Sequence, residues 1–248
     1  MTDLHTRPFS HIGGTSGQLL DRLAVSELCK GWPVYRDASE WANYRSLFTK
    51  DAYVWTTWSG AQPIDDFIRI SIAGKLSGAF IMHRECGTLV ELNPEADRAV
   101  GKMKATITQR FKHPDGYEYD VDCDCRFLFF CEKETGGQEG DDAGETEEKE
   151  MRRDWRAAYV KLVYEKDKIV AVDGIKAPVF ADDVLARYPA GYKYLGAAQS
   201  TLGYEIDVKL VTGGDGRACY KMYQSIERWL EGPMVLLAFS GRVERHPY

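Results

Sequence analysis

His83 lies in the nonpolar stretch Phe80-Ile81-Met82-His83, whereas His5, His11, His113 and His246 lie near the termini or in a turn-forming segment. Imidazole is the side chain whose ordinary pKa falls near neutrality. Set among apolar residues and oriented by a carboxylate, it is suited to taking and returning a proton. Asp37, in Tyr35-Arg36-Asp37-Ala38-Ser39-Glu40-Trp41, is a candidate for that carboxylate, at the close of a helix-forming segment. Each residue has a plainer use taken alone: a buried histidine is often a hydrogen-bonded core residue, and an aspartate at a helix end is often a cap. The chemistry therefore rests on the elements that would bring the two together.

Those elements follow from the periodicity. Residues 1–17 are polar and close on Gly13-Gly14-Thr15-Ser16-Gly17, which reads as a flexible arm. Leu19, Leu20, Leu23, Ala24, Leu28 and Trp32 then recur at helical spacing, with an interruption or kink expected at Pro33. Ser39 is the expected N-cap of a second short helix carrying Trp41, Tyr44, Leu47 and Phe48. Residues 52–58, Ala-Tyr-Val-Trp-Thr-Thr-Trp, are strand-like, and Pro63 opens a third helix through Ile72. Strands are expected over 79–92, 99–111, 118–131, 155–165 and 168–173, divided by Asn93-Pro94, His113-Pro114-Asp115-Gly116 and Lys166-Asp167. Helices followed by antiparallel strands make an α+β layout, with helices packed on one face of a curved sheet.

Several functions are set aside by composition. The chain has 248 residues, enough for a sizeable core, and a formal net charge of −6 with no Lys/Arg cluster, which argues against nucleic acid as a partner. Its N-terminus has no apolar signal segment, and its apolar runs are too short to span a bilayer, so a cytoplasmic protein without a membrane partner is expected. The six cysteines are scattered through helix-like and strand-like segments and read as reduced core thiols; Cys123 and Cys125 alone form a close pair, too little for zinc. Asp120, Asp122 and Asp124 alternate along one strand and spread too far for a calcium loop; they read as a stripe paired with Arg and Lys on neighbouring strands. Residues 134–150 are acidic and lack core-forming side chains, so a disordered hairpin loop is expected there.

The ordered set of an initial helix, an Asp four residues before a Trp, an aromatic strand, a helix and a strand carrying His-x-x-x-Gly-Thr resembles the NTF2-like cone fold. Within that fold it is similar to SnoaL-like proteins and scytalone dehydratase, over residues 19–174 and most strongly at residues 37–41 and 83–88. The resemblance implies a curved, mostly antiparallel sheet around a deep pocket closed by N-terminal helices, spanning 18–175. It makes His83 the general base and Asp37 the residue that fixes its tautomer. It implies cofactor-independent proton removal: a dehydratase-type lyase acting on a small oxygenated aromatic or polyketide-like compound. An isomerase or cyclase using the same dyad, or a non-catalytic binding or assembly module, are the alternatives. The family's second histidine position falls near Thr108 or Gln109 and its two phenol positions on Arg36 and Thr56, so the acid half of the dehydratase mechanism is not reproduced residue for residue. Tyr35, Tyr53, Trp55, Thr56, Trp58 and Thr108 are the expected substrate contacts, although strand alternation leaves open which of residues 53–58 face the pocket. Residues 176–248 carry too much apolar surface to stay in water and are expected to pack on the cone, as a lid or across a dimer or trimer interface.

Overall fold

The computed structural model describes residues 11–135 and 153–232. Most of the acidic stretch read as a disordered loop lies outside the described residues, as do residues 1–10 of the arm. Helix α1, Ser16–Asp37, starts at a capping box in which Thr15 and Gln18 satisfy each other's backbone N–H groups. Residues 16 and 17 therefore belong to the helix rather than to the arm. The helix also runs unbroken through Pro33, against the sequence expectation. Val25, Leu28, Cys29 and Trp32 bury one face of α1, and that packing outweighs the one hydrogen bond the proline removes. Helix α2, Trp41–Ser46, takes Glu40 and not Ser39 as its N-cap; Ser39 adopts a left-handed conformation, φ 64°, in the turn between the helices.

Strands β1 (Phe48–Thr56) and β2 (Gly60–Pro63) form a hairpin, and helix α3 (Ile64–Leu76) follows directly with Pro63 at its N-cap. The long strands β3 (Phe80–Asn93), β4 (Arg98–Lys112), β5 (Glu118–Thr135) and β6 (Arg153–Ala171) complete the order β2-β1-β6-β5-β4-β3. Pairing is antiparallel except between β1 and β6 and between β6 and the two-residue β7 (Val211–Thr212). Lys166-Asp167 is not a turn: β6 runs straight through it, with a register shift opposite Asp124 and Cys125. Further shifts fall at Glu85/Gly87 and Phe130/Cys131, and such bulges increase the twist and bend of the sheet. The fold is a mixed α+β one, a curved open sheet with helices, of the NTF2-like cone type.

Alternation divides the sheet into two faces. Val121, Cys123, Phe127 and Phe129 of β5 point inward with Val160, Leu162 and Tyr164 of β6, against Val25, Cys29 and Trp32 of α1. Gly101 allows α1 to lie this close to β4, since a Cβ there would sit 2.2 Å from the Cys29 sulfur. On the opposite face Asp120 pairs with Arg110, Asp122 with Arg84 and Lys168, and Asp124 with Lys166, so the aspartate stripe is a cross-strand charge ladder.

The C-terminal segment reaches both faces. Pro189 to Gly191 separate α4 (Asp182–Leu185) from α5 (Lys193–Ser200). Tyr192, Leu195 and Ala198 join the inner core. Helix α6, Gly216–Leu230, is capped by Asp215 and packs Cys219, Met222, Ile226 and Leu230 on Val100, Leu128, Phe130 and Val163 of the other face. The Trp229 indole N–H donates to the carbonyls of Ala99 and Cys131 at 3.2 and 3.1 Å, fixing the end of α6 on β4 and β5.

Candidate active site

Asp37 is the last residue of α1, and β3 passes beside that helix end. Lys75 of α3 holds it there, its ammonium donating to the Arg36 and Asp37 carbonyls and to the Ser39 hydroxyl, where a cation complements the C-terminal helix dipole. Both Asp37 carboxylate oxygens are directed at one residue. Oδ1 accepts from the His83 Nδ1 position at 2.8 Å, and Oδ2 accepts the His83 backbone N–H at 2.6 Å. The other ring nitrogen, Nε2, accepts from the Trp32 indole N–H at 3.3 Å. An indole N–H only donates and a carboxylate only accepts, so this arrangement selects the tautomer with the proton on Nδ1 and the lone pair on Nε2.

Burial lowers the His83 pKa from its ordinary value, against the opposing pull of the Asp37 hydrogen bond and charge. The imidazole is therefore neutral near pH 7. Its side chain is 3% exposed and that of Asp37 18%. The His83 ring meets the edges of Trp32 and Phe127, which fix it in place. Such a group can accept a proton at Nε2 while Asp37 stabilises the resulting imidazolium.

His83 opens on a cavity of about 20 Å³, bordered also by Trp32, Arg36, Thr56, Thr57, Trp58, Gln109 and Tyr164 and closed by Leu195 and Gln199 of α5. That volume holds about one water molecule, so a larger ligand requires the closing side to move. Polar contacts hold the closing side. The Thr57 hydroxyl donates to Gln199 Oε1 at 2.8 Å, and Gln199 Nε2 donates to Gln109 Oε1 at 2.9 Å. The Thr57 backbone N–H donates to the Tyr164 hydroxyl at 3.3 Å. Burial pushes the Tyr164 phenol well above its ordinary pKa, which keeps it protonated as a donor beside the cavity. Asp167 of β6 accepts the Leu195 N–H at 2.7 Å and so supplies the N-terminal cap of α5 from another element.

The structure brings together His83, Asp37, Thr56 and Trp58 of the residues singled out from sequence, and leaves four others off the cavity. Tyr53 and Trp55 point to the other side of β1, where Trp55 packs on Tyr159 beneath Lys161. Alternation decides this, because Val54 and Thr56 take the inner face. Thr108 is turned away and donates to Asp122 at 2.5 Å, while its neighbour Gln109 faces inward opposite Ile81. Tyr35 is half-buried on a part of α1 that does not border the cavity. Sequence reasoning missed Trp32, Tyr164 and Gln199 as cavity residues. Trp32 and Arg36 are four apart on one helix face, and Val160, Leu162 and Tyr164 alternate, signals that were readable. Nothing in the spacing marks Gln199. Among the described residues no group of three His, Cys, Asp or Glu side chains could hold a metal ion.

A cone-type sheet with a His-Asp pair at its inner wall defines a class, and comparison with known proteins identifies the family. Residues 17–138 match the SnoaL-like domain. The chain is 40% identical to pea pathogenicity protein 2 of Fusarium vanettenii over 95% of its own length and 99% of the relative's. It is 45% identical to an uncharacterized protein of Emericella nidulans over 82% of its length and 81% of the relative's. The chain belongs to the family of these relatives and carries a SnoaL-like domain. Similar solved structures include a provisionally assigned scytalone dehydratase from Novosphingobium aromaticivorans, 13% identical, covering 68% of this chain and 95% of that one at a TM-score of 0.46. Another is the hexachlorocyclohexane dehydrochlorinase LinA type 3 from Novosphingobium barchaimii, 12% identical, covering 65% and 97% at 0.47. No helix among the described residues is long and apolar enough to cross a membrane.

Proposed function

We propose that this protein is a cofactor-independent acid/base enzyme of the lyase type, acting on a small oxygenated ring compound in the cytoplasm. The observation that carries the reading is the double contact of Asp37 with His83, which leaves the neutral Nε2 at the cavity. His83 removes a proton next to a carbonyl or leaving group, and Asp37 holds the ring and stabilises its charge. Gln109 and Tyr164 offer hydrogen bonds to a substrate oxygen, and Trp58, Phe67 and Phe127 offer flat apolar surface. Trp32 must release Nε2 before the base acts, so its 3.3 Å contact is a resting-state interaction.

A dehydration assay on a panel of small β-hydroxy ketones tests this. His83→Gln and Asp37→Asn are expected to lower turnover by about 10²–10⁴-fold while circular dichroism and melting temperature stay close to wild type. Full turnover by both folded variants would remove the dyad from the chemistry. A second reading is favoured by the small cavity: a binding module in which His83 and Asp37 are a structural pair. It predicts that His83→Gln destabilises the fold and that no panel member is turned over.

A further inference from the structure

We propose that Arg36 holds a carboxylate of the substrate, which makes the preferred substrates small ring acids; this deepens the dyad reading and rests on it. Arg36 is 4% exposed, yet its Nε and Nη1 have no hydrogen-bond partner among the described residues. The nearest carboxylate, Asp37, has its Oδ1 4.0 Å from Nη1, beyond hydrogen-bond reach, and both its oxygens are already engaged by His83. Trp32 and Phe67 present their rings 5.9 and 5.4 Å from the guanidinium carbon, which attracts the charge but leaves the N–H groups unsatisfied. A buried cationic donor without an acceptor is costly, and a carboxylate complements it in charge; on the Nε–Nη2 edge its paired oxygens would satisfy Nε.

The surroundings point the same way. Arg36 borders the dyad cavity and also a second cavity of about 20 Å³ formed with Ser71, Gly74, Lys75, Ala79 and Tyr204. Trp58, Ile81 and Gln109 border both, so the two spaces adjoin. Among the described residues the Ser71 hydroxyl is likewise buried without a partner, Lys75 adds a second positive charge, and no Asp or Glu lines either cavity. An acid with its carboxylate between Arg36 and Ser71 extends its ring past Trp58 toward His83.

Titration with benzoate, and with benzamide as a neutral probe of the same size, tests the proposal on the full chain. Wild type is expected to bind benzoate at least about tenfold more tightly than benzamide, and Arg36→Met to weaken benzoate roughly tenfold to a hundredfold with little effect on benzamide. The Arg36 Nε–H resonance of nitrogen-15-labelled wild type is expected to shift with benzoate alone, a readout that does not depend on the variant folding. Equal binding of the two probes, an unmoved Nε–H signal, or benzoate binding undiminished in folded Arg36→Met each overturns it. The two readings fail separately: Arg36-dependent benzoate binding together with full turnover by folded His83→Gln would remove the dyad and leave the carboxylate site standing.

Discussion

The two sides of the cavity are built differently. On the dyad side, Asp37 and His83 come from a long helix and a long strand, clamped by three hydrogen bonds and enclosed by Trp32, Phe67 and Phe127. On the closing side, Leu195 and Gln199 sit on an eight-residue helix that reaches the cavity through a chain of neutral side-chain hydrogen bonds and a cap borrowed from Asp167. Aromatic packing and the Asp37 carboxylate hold the imidazole in one orientation. Neutral hydrogen bonds contribute only about 0.5–1.5 kcal/mol each and can be exchanged for bonds to a ligand. The rigid side is therefore suited to chemistry and the closing side to admission. The dyad side lies within the matched SnoaL-like residues 17–138, while Tyr164, Leu195 and Gln199 lie beyond them, yet the alignment with the Fusarium relative spans 95% of the chain.

Truncation after Gly174 is the harshest way to break the comparison. It removes Tyr192 and Leu195 from one core and Ile226 and Leu230 from the other, each fully or almost fully buried. At about 1.5–3 kcal/mol for each large side chain the loss approaches the whole stability of a domain, so an aggregated or molten product is expected by gel filtration and dye binding. A soluble, monodisperse, active fragment would show that the closing side is dispensable.

Gln199→Ala makes a smaller cut. It leaves Thr57 and Gln109 without their shared partner and is expected to cost about 1–3 kcal/mol of stability. In a steady-state assay it should alter KM more than kcat, because it touches the closing side and not the base. A kcat loss as large as that of a dyad variant would erase the distinction.

The two sides also answer pH with opposite sign. Burial lowers the His83 pKa below 6.5, so the unfolded chain binds more protons there and stability falls as pH drops below about 6.5. Burial raises Asp167 from 3.8 to about 6, so the folded chain binds more protons and docking of α5 strengthens as pH falls from about 6 toward 4. Asp167→Asn can still accept the Leu195 N–H and carries no buried charge. It is expected to change stability at pH 7 by under about 1 kcal/mol, toward greater stability, and to remove the acid-side gain in a melting series. An unchanged acid-side slope in that variant would place the titration elsewhere.

The same division describes what the sequence made legible. Helical spacing and strand alternation are signals of long elements, so α1, β3, β4 and β5 could be read, while the pairing of His83 and Asp37 was legible only through the family resemblance. Pro33 misled because local propensity cannot register that Trp32 and Cys29 are clamped against the sheet. Lys166-Asp167 misled because a bulge in a long strand looks like a hairpin turn. Tyr53 and Trp55 were left ambiguous because parity gives two faces and only packing says which is inside. Gln199 was invisible, since its role depends on a contact 142 residues away with Thr57.

The central claim is that His83 is a neutral base whose Nε2 takes the substrate proton once Trp32 releases it. Exchange of the acidic C–H of a bound ring ketone with deuterated solvent reads that step alone, whether water is later lost or a double bond moves. Wild type is expected to exchange the position adjacent to the carbonyl, with a rate that still holds at pH 6.5 because burial lowers the His83 pKa and that falls only at lower pH, and His83→Gln to be slower by about 10²–10⁴-fold. Equal exchange by wild type and folded His83→Gln would contradict the account.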